Sequence, residues 1–112
     1  MALIVHDLAL HMLEQIKPII DRVRRHDRNL ADHMQRSAQS SFLNIAEARS
    51  AYGRNEIAKF NRALEEAREA RAAVKVATIW GYVTEQECRL ADADLDRMGG
   101  MLWGLTHRKR RT

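Results

Sequence analysis

Apolar residues recur along this chain at intervals of three and four, and no segment alternates apolar with polar in the manner of a strand. That period gathers apolar side chains on one face of an α-helix and leaves charge on the other, which commits the chain to amphipathic helices packed together. Four such stretches can be placed. The first runs from about Leu3 to Arg24, with Ile4, Leu8, Met12, Ile16, Ile19 and Val23 expected inward. Pro18 lies inside it and lacks a backbone donor, which predicts a kink between Glu14 and Pro18. After a basic connection from Arg24 to Arg28, Asn29 reads as an N-cap. The second helix then extends to about Tyr52, burying Met34, Ala38, Ser41, Ile45 and Ala48, and Gly53 offers the left-handed residue that closes it.

Asn55 reads as the next N-cap, and a third helix reaches Trp80 before Gly81, with Ile57, Phe60, Leu64, Ala67 and Val74 inward. Thr84-Glu85-Gln86-Glu87 is a capping-box sequence, in which the threonine side chain and the glutamate each bond the other's backbone N–H. It heads a fourth helix with Cys88, Ala91, Leu95, Met98, Leu102 and Leu105 on one seam. Asp92, Asp94 and Asp96 load the first half of that helix with acid, partly near its positive end. Helices of about 20 to 24 residues span roughly 30 to 36 Å each and match in length. Short connections force neighbours antiparallel. The expected fold is all-α, an antiparallel up-down-up-down four-helix bundle, with residues 1–112 as one domain and a basic tail over about 107–112.

Composition narrows the classes further. At 112 residues the chain has the size of one domain and buries roughly 65% of its unfolded surface. A lone Cys88 excludes an internal disulfide framework and suits a reducing compartment. No run approaches the ~18 consecutive apolar residues of a membrane span, and the N-terminus MALIVHDLALHML lacks a basic leader and cleavage site. A cytoplasmic protein with no membrane contact is expected. Catalytic and metal motifs are missing: there is no phosphate loop, no Cys-x-x-Cys and no Glu-x-x-His at any of the five histidines. No enzyme activity, cofactor or metal is expected, and Cys88 reads as a core residue.

Three groups of residues ask for explanation. On the second helix Ser37, Ser41 and Asn44 form a polar stripe with Glu47 beside it. Such side chains compete for backbone groups, so they demand partners on a buried helix. Interhelical hydrogen bonds are the structural reading and a ligand site is the other. On the fourth helix Gly99, Gly100 and Gly104 each cost up to ~1 kcal/mol against alanine. Trp103 stands beside them, off the core seam. An intramolecular helix contact accounts for the glycines, whereas a subunit interface accounts for both the glycines and the tryptophan.

The third group is the basic one. In an up-down bundle the turn with Arg49, Arg54 and Lys59, and Arg62 nearby, shares an end with the tail Arg108, Lys109, Arg110 and Arg111. A net charge of +4, dominated by arginine, suits phosphate contacts made without reading sequence. A merely solvated face is the alternative. Aromatic residues are sparse there, Tyr52 being the main one, so base stacking has little support in the sequence.

The run from Ser40 through Asn44-Ile45-Ala46-Glu47, the basic turn at Arg49 and Arg54, and Phe60, Ala63, Ala67 and Glu69 at helical spacing resemble the family of 23S rRNA intervening-sequence proteins. Asp96-Arg97-Met98-Gly99-Gly100-Met101-Leu102-Trp103 extends the resemblance toward the C-terminus. The accessory variability determinants of diversity-generating retroelements are similar to the same group. The chain departs from the family pattern at Ala48, where glycine is usual, and at Glu65-Glu66, often Gly-Ser. The resemblance implies a four-helix bundle and a homo-oligomer, a ring of five. It also implies partners among RNA, ribonucleoproteins or a protein such as a reverse transcriptase. A protein-interaction scaffold with no affinity for nucleic acid is the rival function.

Overall fold

The computed structural model describes residues 2–107, and its four helices are α1 (Ala2–Arg24), α2 (Arg28–Ala48), α3 (Arg54–Ile79) and α4 (Glu85–Thr106). Each packs on two neighbours in the cyclic order α1–α2–α3–α4, forming a rod 51 × 21 × 19 Å. Contacts between neighbours establish the antiparallel sense. From Ser37–Glu69 to Ser41–Ala63 to Glu47–Lys59, one number rises as the other falls along α2 and α3. His11–Asp94 and Arg22–Glu87 do the same for α1 and α4. The up-down-up-down bundle expected from periodicity is the observed fold.

One contiguous core runs through all four helices, with Met12, Ile16, Met34, Ile45, Phe60, Met98 and Leu102 among its largest fully buried side chains. On α2 and α4 the buried residues include every one expected from the seam. On α1 the reading needs correction at the N-terminal end. Val5 is fully buried, whereas Ile4 is 55% exposed. The inner face there runs through Val5, Leu8, Ala9 and Met12, because α1 sits between α2 and α4 and Ile4 falls on its rim. Ile57 on α3 is half-buried rather than inward. Pro18 lies within a continuous α1.

The helix ends follow local chemistry, with two shifts from the expected caps. Asp27, not Asn29, caps α2: its backbone is extended, and its side chain accepts the Leu30 N–H at 3.0 Å. α2 stops at Ala48 rather than near Tyr52, and Gly53 opens α3 instead of closing α2. Its φ of 60° with ψ of −126° is a conformation that only glycine adopts at low cost. Asn55 lies inside α3 and is not its cap. Gly81, at φ 78°, ends α3 in a Schellman motif, with Tyr82 N–H donating to Ala77 C=O and Gly81 N–H to Thr78 C=O. Thr84 and Glu87 form the reciprocal capping box expected at the start of α4.

Candidate nucleic-acid interface and association face

The α2–α3 turn lies at the bundle end where α1 begins and α4 finishes, a consequence of the antiparallel order. Arg49 caps α2 and Arg54 opens α3; both are exposed, and neither forms an ion pair among the described residues. Arg62, two turns farther along α3, is also exposed. Lys59 is different. Its ammonium meets the Glu47 carboxylate at 2.6 Å, so its charge is matched across the α2–α3 contact. Arg108, Lys109, Arg110 and Arg111 lie outside the described residues.

The polar stripe separates into local and interhelical parts. Ser41 is buried and donates to the Ala63 carbonyl of α3 at 2.8 Å, a short contact that brings two helix backbones close. Ser37, also buried, reaches Glu69 at 3.5 Å. Asn44 does not cross to α3. Its amide donates to the Ser40 carbonyl at 2.8 Å and the Ser40 hydroxyl at 3.2 Å, within its own helix. The interhelical role expected for the whole stripe therefore belongs to the two serines, while Glu47 takes part through Lys59.

On α4 the geometry bears on the intramolecular reading of the glycines. A β-carbon at Gly99, Gly100 or Gly104 would meet nothing within 4 Å, so no packing among the described residues requires glycine there. Trp103 remains 50% exposed, with one ring face stacked on His107 at 3.9 Å. An open cleft of about 900 Å³ runs between α3 and α4, and a smaller one of about 320 Å³ continues it beside Gly99 and Trp103. Arg71 stands where the two meet, with Nε and Nη2 on the two Asp92 oxygens at 2.8 and 3.2 Å and Nη1 on Asp96 at 2.9 Å. The bond from Arg71 holds the Asp92 carboxyl below its ordinary range, and Arg71 itself is raised by the same bond.

Two features carried no sequence signal. Asp94 is 6% exposed and accepts from His11 Nδ1 at 2.5 Å, a pairing across 83 residues that ties α4 to α1. Near the other end of α3, Ile79 and Trp80 are 79% and 65% exposed, with Val76 partly exposed beside them, an apolar surface off the helix's inner face. The Cys88 thiol is buried and pushed up in pKa by that burial, leaving it protonated near neutrality. Among the described residues no group of three or more histidine, cysteine or acidic side chains is placed to hold a metal. Nor is any helix among them long and apolar enough to cross a membrane.

Fold and surface together define a small basic four-helix-bundle protein with an open glycine face. The family model of the 23S rRNA-intervening sequence protein matches residues 1–104, and the chain belongs to that family. A crystal structure of a protein of unknown function from the S23 ribosomal protein family of Bacteroides thetaiotaomicron superposes with a TM-score of 0.85. The two are 23% identical, and the match covers 93% of this chain and 99% of the other, a likeness of fold. No curated protein matches the chain.

Proposed function

We propose that this protein is a non-enzymatic, self-associating cytoplasmic accessory factor that binds RNA through phosphate charge at the bundle end bearing Arg49 and Arg54. The observation that carries the reading is that both arginines are exposed and lack ion pairs among the described residues, on the turn at the end from which the sequence runs on into Arg108 to Arg111. Membership of a family described by 23S rRNA intervening sequences favours RNA as the ligand. Self-association uses the α4 face of Gly99, Gly100, Trp103 and Gly104, because nothing among the described residues accounts for three helical glycines beside an exposed tryptophan. A closed ring, five subunits by the resemblance, uses one head-to-tail contact repeated.

A mobility shift with structured RNA at about 50 mM salt tests the binding, since phosphate contacts are strongest there. Each neutralised phosphate contributes about −0.7 to −0.9 to the log–log salt slope, so removing Arg108 to Arg111, or replacing Arg49 and Arg54 with serine, flattens it for all sequences alike. The scaffold reading has one observation in its favour, the exposed Ile79 and Trp80 at the opposite end of the bundle from the basic turn. Absence of a shift at tens of micromolar protein overturns the RNA reading and leaves the scaffold.

A further inference from the structure

We propose that Tyr52 is a stacking platform for an unpaired nucleobase, so that the basic end takes single-stranded nucleic acid in preference to duplex. The inference rests on the nucleic-acid reading above and adds the form of the strand. Tyr52 is 87% exposed, more than any other large hydrophobic side chain among the described residues. Among the described residues this ring takes no part in the core.

The turn that carries it is fixed on both sides. Ser50 N–H and Ala51 N–H donate to Glu47 C=O and Ala48 C=O, each at 3.2 Å, extending the last turn of α2. On the other side Gly53 takes its positive φ, and its carbonyl accepts the Ile57 N–H at 3.2 Å. Hydrogen bonds thus fix the backbone on either side of Tyr52 before any ligand arrives, which lowers the ordering cost of binding. Arg49 precedes the ring by three residues and Arg54 follows it by two, so cations flank the aromatic on both sides. That interleaving of charge and aromatic surface is what a single strand needs, with phosphates held by the arginines and a base laid on the ring. Trp103 is less suited, because His107 already covers one of its faces.

A duplex keeps its bases stacked on one another and offers the tyrosine no free face along its length, so only the arginines engage it. The test uses the full chain, a single-stranded oligoadenylate and an RNA duplex of equal phosphate number, with Tyr52→Ala and Tyr52→Phe beside the wild type. Tyr52→Ala is expected to weaken the single strand by about 5- to 150-fold, to leave duplex binding alone, and to keep the salt slope. Tyr52→Phe is expected to bind both as the wild type does. Circular dichroism confirms folding, which these off-core changes leave intact. If wild type binds but Tyr52→Ala weakens both ligands equally or neither, the stacking inference falls and phosphate binding stands. If wild type binds neither ligand, both fall.

Discussion

Replacing Gly100 with alanine separates helix stability from association, because the two respond with opposite sign. Within one chain the new methyl group meets nothing within 4 Å, and the residue lies inside α4. Alanine therefore contributes its helix propensity without a clash, about 0.8 to 1.0 kcal/mol. At this chain length that raises Tm by about 3 to 4 °C. Gly104 gains less, since it sits in the last turn before Thr106, where the helix is already fraying. If a second subunit lies against this face, the same methyl group overpacks the contact. Overpacking costs about 1 to 3 kcal/mol, which weakens association about 5- to 150-fold at each interface. The assay pairs light scattering after size exclusion with thermal melts over a range of protein concentration, since an oligomer's melting point moves with concentration and a monomer's does not. Gly100→Ala should melt higher than wild type when dilute and lower, relative to wild type, when concentrated. A variant gaining the same stability at every concentration while keeping its mass would refute the interface. A variant that melts lower even as a monomer would refute the open space around Gly100.

Arg71→Met should loosen the α3–α4 contact by about 1 to 2 kcal/mol, a modest figure because the pair is one-third exposed, and urea unfolding measures it. Asp92 has its pKa lowered in the folded chain, so its contribution is complete above the usual aspartate range and is lost as pH falls through the depressed value. Acid unfolding of Asp92→Asn should accordingly lose less stability below about pH 4 than the wild type does. Ser41→Ala should cost about 0.5 to 1.5 kcal/mol through its lost bond to Ala63, whereas Asn44→Leu should cost less, its partners being in its own helix. Equal losses from those two substitutions would show that Asn44 has a structural role beyond its bonds to Ser40.

Much of the bundle was legible from the chain because it is local. The seam of Cys88, Ala91, Leu95, Met98, Leu102 and Leu105 follows from a 3.6-residue period, and the Thr84–Glu87 box and the Gly81 stop act within a few residues of themselves. Three apolar or polar choices were close enough in sequence terms to go astray. Ile4 and Val5 are equally apolar neighbours, and only the seat of α1 between α2 and α4 turns Val5 inward. Asp27 and Asn29 are equally good caps, and the extended backbone at Asp27 decides between them. Gly53 is marked as a break by its residue type, but whether it closes one helix or opens the next depends on where α2 stops.

The surface was less legible, because its meaning lies in who stands opposite whom. The sequence by itself determined the helices, their antiparallel order, and the placing of Arg49 and Arg54 on the turn at the end where α1 begins and α4 finishes, since these depend on periodicity, loop length and chain order. Tertiary structure alone decided that Lys59 answers Glu47, that Arg71 grips Asp92 and Asp96, and that Asp94 is buried against His11. It alone left Gly100 facing open space and Tyr52 largely uncovered among the described residues. The physical reason is range: a helix needs only contacts three and four residues apart, while a charge is matched or a face left bare by residues far away along the chain.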